Sequence, residues 1–186
     1  MHMLPVGFAL RTRRPLSNLS NIHLRIARLT FCTSRPSCAA RSMTPFRILV
    51  DVQKKFLAAP KFAVVGASKD QSKYGTKVLK WYQARDKDVT PVHPKEDELE
   101  GVKTVRTISD LPAPTETSVH IITPPKVTLS ILEQAKTIGT PALWLQPGAE
   151  DEAVVSYIKE NGLADKVIYG GPCILVEGDG ILRSLL

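Results

Sequence analysis

The chain has 186 residues and a formal net charge of +7, from 25 Lys and Arg against 18 Asp and Glu, a length that suits one well-buried domain and falls short of two ordinary ones. The charge is unevenly spread: Arg11, Arg13, Arg14, Arg25, Arg28, Arg35 and Arg41 precede residue 46 with no Lys or acidic residue among them, so the other 18 basic residues face all 18 acidic ones. A folded part without net charge argues against a nucleic-acid partner, because phosphate-dominated binding needs a concentrated cationic surface.

Residues 1–45 are also rich in Ser and Thr, and Ile22, Ile26 and Leu29 share one face of a short helix with Arg25 and Arg28 offset from it. An Arg-rich, acid-free, amphipathic start is the pattern of a mitochondrial presequence; it predicts removal between Ser34 and Met43 and residence in the matrix. A basic tail without structure, or a cytoplasmic protein translated from Met43, fits the same residues. The continuous apolar run of a secretory signal or a membrane span is missing. Cys32 and Cys38 fall in this leader, which leaves Cys173 alone in the domain and no disulfide framework. No spacing of Cys, His, Asp or Glu reads as a metal site.

From residue 46 onward, short β-rich runs alternate with helical periodicity over one domain, 46–186. They predict an α/β fold: a Rossmann-like, doubly wound, mainly parallel five-stranded sheet with helices on both faces. A helix is expected over Phe46–Ala58, with Ile48, Leu49, Val52 and Phe56 on one side and Pro60 as its stop. Lys61–Val65 follows as the first strand, Gly66–Gly75 as a loop, and Thr76–Arg85 as a helix with Val78, Trp81, Tyr82 and Arg85 at three- and four-residue spacing. Asp88–Val92 reads as the second strand, closed by His93-Pro94, and charged Lys95–Gly101 as a solvated loop. A short extended stretch at Lys103–Val105 and a Pro-bounded turn over Asp110–Pro114 lead to the strand Ser118–Thr123. Pro124-Pro125 then starts a helix with Val127, Ile131, Ala135 and Ile138 inward, ended by Gly139. The strand Ala142–Gln146, the helix Asp151–Asn161 and the strand Lys166–Tyr169 complete the pattern. The Gly-rich tail Pro172–Leu186 is assigned to no element.

In such a sheet a ligand lies across the carboxyl ends of the strands, near the point where strand order reverses. The first strand end, Val64-Val65-Gly66-Ala67-Ser68, lets the backbone turn sharply and approach a ligand. With the helix start after it, Lys69 and Lys73 make a cradle for a diphosphate beside Tyr74, and Gly75 lets the helix pack close on the strand. The run is not GxGxxG, so a plain tight turn competes with that reading. The second strand end carries His93, Pro94 and Lys95 where NAD-binding domains usually place an Asp or Glu for the ribose hydroxyls. A cation there favours an extra phosphate on the adenosine ribose, as in coenzyme A at the 3′ position or NADP at the 2′ position. The acidic run Glu96-Asp97-Glu98 partly offsets Lys95, which leaves an ordinary surface lysine as the other reading. Thr123, Pro124 and Pro125 at the third end, and Gln146, Pro147 and Gly148 at the fourth, offer rigid apolar edges for an adenine ring or a pantetheine arm. Glu150, Asp151 and Glu152 would repel phosphate, so the phosphates belong at the first loop.

In order and spacing over Lys61–Val176 these residues resemble the stand-alone coenzyme A-binding domain proteins, whose fold is shared with the N-terminal domain of the succinyl-CoA synthetase alpha subunit. The likeness rests on Ala63-Val64-Val65-Gly66-Ala67-Ser68, on Lys73 with Gly75, on Val92-His93-Pro94 before Lys95, on Thr123-Pro124-Pro125, and on Trp144-Leu145-Gln146-Pro147-Gly148. The resemblance implies that Gly66, Ala67 and Ser68 hold phosphate, that Lys95 is the cofactor-binding lysine, and that Gln146, Pro147 and Gly148 form the third cofactor segment, where the synthetase has a different tripeptide. It does not carry synthetase activity with it, because no ligase domain with a phosphorylated histidine follows Leu186. Cys173 fits the family's ending and reads as packing rather than as a reactive thiol. His93 and His120 read as a turn residue and a sheet residue, with no general-base partner at recognisable spacing. The expected function is therefore non-catalytic binding of CoA or an acyl-CoA, with a protein partner or self-association left open. An NADP-dependent oxidoreductase and an interaction module with a vestigial nucleotide pocket are the alternatives.

Overall fold

A computed structural model of the chain describes residues 45–186; the expected presequence lies, but for Pro45, outside the described residues. The helix α1 (Pro45–Leu57) precedes β1 (Lys61–Val65), α2 (Tyr74–Gln83) and β2 (Val89–Val92). A short hairpin of β3 (Glu98–Leu99) and β4 (Val102–Lys103) and a single 3-10 turn at Ile108–Asp110 come next. They are followed by β5 (Thr117–Ile121), α3 (Pro125–Ile138), β6 (Leu143–Leu145), α4 (Glu152–Glu160), β7 (Val167–Ile168) and α5 (Ile174–Arg183).

Five strands form one parallel sheet in the order β2-β1-β5-β6-β7, as the alternation of strands and helices predicts. Side chains of successive strand residues point to opposite faces, and the core divides accordingly. Ala63, Val65, Val119, Ile121, Leu143, Leu145 and Val167 pack with Ile131, Leu132 and Ala135 of α3 and with Val154 and Ile158 of α4. Phe62, Val64, Trp144 and Ile168 pack on the other face with Val52 and Phe56 of α1, Val78, Leu79 and Tyr82 of α2, and Ile174 of α5. The strands are therefore buried on both sides, so β1 and β6 read as apolar runs, while β5 sets the buried polar side chains of Ser118 and His120 on the face that α1 and α2 cover. Pro91 sits within β2 because β2 is an edge strand, on whose outer side Pro91 serves as an acceptor, its carbonyl taking the Val105 N–H at 3.1 Å.

Besides Val127, which is 47 % exposed rather than inward, two expectations need correction. Lys95–Gly101 is not only a solvated loop: Leu99 is 2 % exposed and enters the core that α2 covers, while Glu98 and Leu99 pair antiparallel with Val102 and Lys103. The acidic sequence hid one buried leucine in a turn. Glu100 at the tip of this hairpin, with φ of 51°, accepts from Gln83 through its backbone and is bonded by Gln71 and Lys80 through its carboxylate, so the hairpin is tied to α2. The tail is the second correction, for it contains the ten-residue helix α5. Gly178 is the reason α5 can lie against α2: a Cβ there would stand 2.4 Å from the Trp81 ring. Arg85 stacks over the same ring at 4.1 Å and donates to both carboxylate oxygens of Asp179 at 2.6 and 2.7 Å. Gly178, which looks like a helix breaker, is here a packing surface.

Candidate functional site

Beyond β1 the chain passes to α2 on one face of the sheet, and beyond the neighbouring β5 it passes to α3 on the other. The two connections diverge and leave a crevice at the strand ends, the place where open α/β sheets hold ligands. The backbones crowd together at its floor. Gly66 has φ of 101°, and a Cβ on it would lie 2.4 Å from the carbonyl oxygen of Ile122. Gly75, the second residue of α2, comes closer still, with its hypothetical Cβ 2.1 Å from the carbonyl oxygen of Gly66. Thr76 locks this approach by donating its hydroxyl to the Ser68 carbonyl at 2.6 Å and accepting from the Ser68 N–H at 3.3 Å. The expected close packing of helix on strand is thus found at Gly75.

The first N–H groups of a helix have no acceptor within it. At α2 the N-cap is Lys73, whose side chain makes no capping bond, whereas at α4 the side chain of Asp151 accepts from Val154 N at 2.9 Å. Of these two helix starts, the one above Gly66 is open to an anion and the acidic one is closed, in the sense the sequence predicts.

Two depressions meet in the crevice. One, of about 380 Å³, is lined by Gly66, Ser68, Lys73, Tyr74, Gly75 and Ile122. The other, of about 590 Å³, is lined by Tyr74, Ile122, Thr123, Pro124, Pro125, Gln146, Pro147, Gly148, Ala149 and Cys173. Tyr74 and Ile122 belong to both, so a polar, glycine-floored hollow continues into a larger one walled by prolines. The structure brings eleven of the sixteen candidate residues to these two hollows.

The other five stand apart. Ala67 is 1 % exposed and turns its methyl into the core, so only its backbone is available to a ligand. Lys69 is exposed but paired with Glu96 at 2.5 Å; that bond holds its pKa above the usual lysine range and the Glu96 carboxyl below the usual carboxylate range. His93 is a turn residue as expected: its Nδ1 accepts from the backbone N–H groups of Lys95 and Glu96 at 3.2 and 2.9 Å. Pro94 and Lys95 are exposed on that turn. The acidic run that would offset Lys95 is largely engaged elsewhere, Glu96 with Lys69 and Asp97 with Arg106. Among the described residues Lys95 takes part in no ion pair.

Ile122, Ala149 and Cys173 line the hollows and were not candidates. The first two follow a strand and a Pro-Gly turn and are ordinary in sequence. Cys173, read as packing, is partly exposed, is the N-cap of α5 and forms part of the larger hollow's wall. Behind it runs a buried polar chain. Gln146 Nε2 donates to Cys173 Sγ at 2.9 Å, Gln146 Oε1 lies 3.0 Å from His120 Nε2, and His120 Nδ1 lies 3.1 Å from the Tyr82 hydroxyl. His120 is fully buried between Trp144, stacked at 5.8 Å, and the edge of Phe56. Burial pushes its pKa down to about 3, against the opposing bond to Gln146, so the ring is neutral at physiological pH.

A crevice of this shape at the reversal of strand order suits an extended ligand with an anionic and an apolar part, and the comparison with known proteins specifies the class. A family described as a CoA binding domain matches residues 60–179. The chain belongs to that family. This supports a small-molecule ligand, coenzyme A, and agrees with the resemblance drawn from the strand-end residues. In the acetate–CoA ligase (ADP-forming) of Methanocaldococcus jannaschii, 90 residues are 31 % identical, covering 48 % of this chain and 13 % of the ligase; the chain therefore spans about an eighth of that relative's length. A conserved hypothetical protein from Pyrococcus furiosus superposes with a TM-score of 0.57 and 38 % identity over 63 % of this chain and 97 % of its own. A dinucleotide-forming acetyl-coenzyme A synthetase from Ca. Korarchaeum cryptofilum, solved with phosphate and ADP, gives a TM-score of 0.51 and 25 % identity over 60 % of this chain and 25 % of the synthetase. The CoA-binding domain is thus similar both to a small single-domain protein and to one region of larger synthetases. Among its described residues no helix is long and apolar enough to cross a membrane, and no group of three or more His, Cys, Asp and Glu could hold a metal ion.

Proposed function

We propose that the chain binds coenzyme A or an acyl-CoA without transforming it, in the crevice between the β1 and β5 ends. The observation that carries this reading is the junction of the two hollows at Tyr74 and Ile122. The diphosphate sits over the Gly66–Ser68 backbone and the uncapped start of α2, where N–H groups and the helix dipole favour negative charge. The pantetheine arm runs past Tyr74 into the hollow walled by Thr123, Pro124, Pro125, Pro147 and Gly148. The 3′-phosphate meets Lys95 on the turn that His93 holds, with Lys69 and Lys73 between turn and helix.

Titration calorimetry of the full chain with CoA, acetyl-CoA, NADP and NAD tests the reading. CoA or acetyl-CoA is expected to bind best. A preference for NADP would favour an NADP-dependent oxidoreductase, and heat from none of the four would favour an interaction module with a vestigial pocket. Lys95→Ala is expected to weaken CoA about tenfold, as the loss of one charge-assisted hydrogen bond implies, and to leave dephospho-CoA nearly unaffected. Equal losses for both ligands would show that Lys95 does not read the 3′-phosphate. We place the protein in the mitochondrial matrix on the strength of the Arg-rich, acid-free residues 1–45; N-terminal sequencing of protein recovered from mitochondria tests this, with an intact Met1 counting against it.

A further inference from the structure

Gln146 is 3 % exposed, yet it forms part of the wall of the larger hollow. Its carboxamide is held at both ends, by His120 on one side and Cys173 on the other. Which end of the amide faces the hollow follows from a proton count that begins at Tyr82. The Tyr82 hydroxyl is buried and protonated, since burial pushes its pKa well up, and among the described residues its hydrogen-bond partner is His120 Nδ1. If Nδ1 carried the single hydrogen of the neutral imidazole, the Tyr82 hydrogen would be left in a dry core without an acceptor, which is the costly arrangement. Tyr82 therefore donates to Nδ1, and the ring hydrogen is on Nε2. His120 Nε2 then donates to Gln146 Oε1, and the amide nitrogen of Gln146 is the end turned toward the hollow and Cys173.

A carboxamide nitrogen carries two donors, and a thiol sulfur is a weak acceptor. The site thus presents a rigidly aimed donor whose protein partner is poor, among Pro147, Ala149, Pro124 and Pro125, whose side chains accept nothing. We propose that Gln146 reads a carbonyl oxygen at the acyl end of the ligand, so that the hollow prefers acyl thioesters of CoA to ligands whose sulfur bears no carbonyl, with Tyr82 and His120 as positioning residues behind it. This rests on the seating of the pantetheine arm proposed above. Of the groups that can arrive on the ligand sulfur, a thioester supplies a strong acceptor there and a free thiol or a thioether does not.

Calorimetry of the full chain with CoA, acetyl-CoA and S-ethyl-CoA separates the cases, because the ethyl thioether keeps the two carbons and loses only the carbonyl. Acetyl-CoA is expected to bind about three- to tenfold more tightly than S-ethyl-CoA, the range one net hydrogen bond gives, and Gln146→Leu to erase that ratio. Tyr82→Phe keeps the ring and removes the hydrogen that sets the His120 tautomer, so it is expected to shrink the same ratio. A purely structural role for Tyr82 would instead weaken both ligands alike. Equal affinities for acetyl-CoA and S-ethyl-CoA in the unaltered protein overturn the proposal without any variant and leave CoA binding standing. A Gln146→Leu loss that is the same for all three ligands also overturns it, since the carboxamide would then be reading a pantetheine amide. Binding of none of the three removes the proposed function and this inference together.

Discussion

Replacing Gly75 with alanine is expected to lower folding stability by about 2–3 kcal/mol and to abolish CoA binding, although alanine is the better helix former. Two effects oppose each other at this position. In a helix interior, Gly→Ala gains about 1 kcal/mol from propensity and from the restricted unfolded chain. At Gly75 the new methyl would meet the Gly66 carbonyl oxygen at 2.1 Å, the Gly66 carbonyl carbon at 2.6 Å and Ala67 Cα at 2.9 Å. All three are backbone atoms of the loop that floors the site, so no rotamer can yield and the start of α2 must lift away from β1. The steric cost exceeds the propensity gain, and it falls on the surface proposed to hold the diphosphate. Gly180 supplies the control: it lies in α5, and a Cβ added there would have nothing within 4 Å, so Gly180→Ala is expected to raise stability by about 0.5–1 kcal/mol. Urea unfolding of the three proteins measures both shifts as changes in midpoint at constant slope. A neutral or stabilising Gly75→Ala would show that the loop yields, and with it the rigid floor would be lost from the account.

The contrast between these two glycines also marks what a sequence can and cannot tell. The sheet was legible because strands buried on both faces need apolar runs, and residues 62–65 and Leu143–Leu145 have them, while Val119 and Ile121 mark the central strand between them. Strand borders beyond β1 shifted by one or two residues where ladder pairing, not hydrophobicity, ends the element: Thr123 is apolar-flanked but lies past the last pair, Ile121 with Leu145. The tail failed for a different reason. Pro172, Gly178 and Gly180 carry poor helix propensity, and only the tertiary contact of Gly178 with Trp81 makes one of those glycines an asset. Leu99 failed because a two-residue strand has no periodicity to read.

At the site, the residues that act through their backbone or through shape were the legible ones. Gly66, Gly75, Pro124, Pro125, Pro147 and Gly148 each restrict or free the main chain in a way that local sequence announces. The polar chain behind the wall was not legible, since Tyr82, His120, Gln146 and Cys173 come from four separate elements and are brought together only by the sheet. His120 could be read as a sheet residue from its apolar neighbours. Its role in orienting Gln146 could not, because that depends on a tautomer set 38 residues away in sequence.

That buried histidine dictates the acid response. His120 has a folded-state pKa of about 3 against an ordinary value of 6.5, so the unfolded chain takes up a proton at a pH where the native protein refuses it. The sign follows: the contribution to stability is complete above pH 6.5 and is lost as pH falls from 6.5 toward 3. At 1.36 kcal/mol per pH unit between those limits, the loss from pH 7 to pH 5 is about 2 kcal/mol. Asp179, Glu96 and Glu100, held below their usual range by hydrogen bonds from Arg85, Lys69 and Gln71 respectively, lose their contributions as pH falls below the ordinary carboxylate values, which lie beneath this window. Urea unfolding at pH 7, 6 and 5 is therefore expected to show a steep decline in the unaltered protein and less than half that slope in His120→Gln, whatever the variant's absolute stability. Should the variant not fold, the imidazole NMR shifts of His120 in the unaltered protein give the same answer: they are expected to stay flat down to pH 4. A titration midpoint near 6.5, or equal slopes in the two proteins, would mean that the ring reaches water or takes a proton in place, and the fixed tautomer that aims Gln146 into the hollow would fall with it.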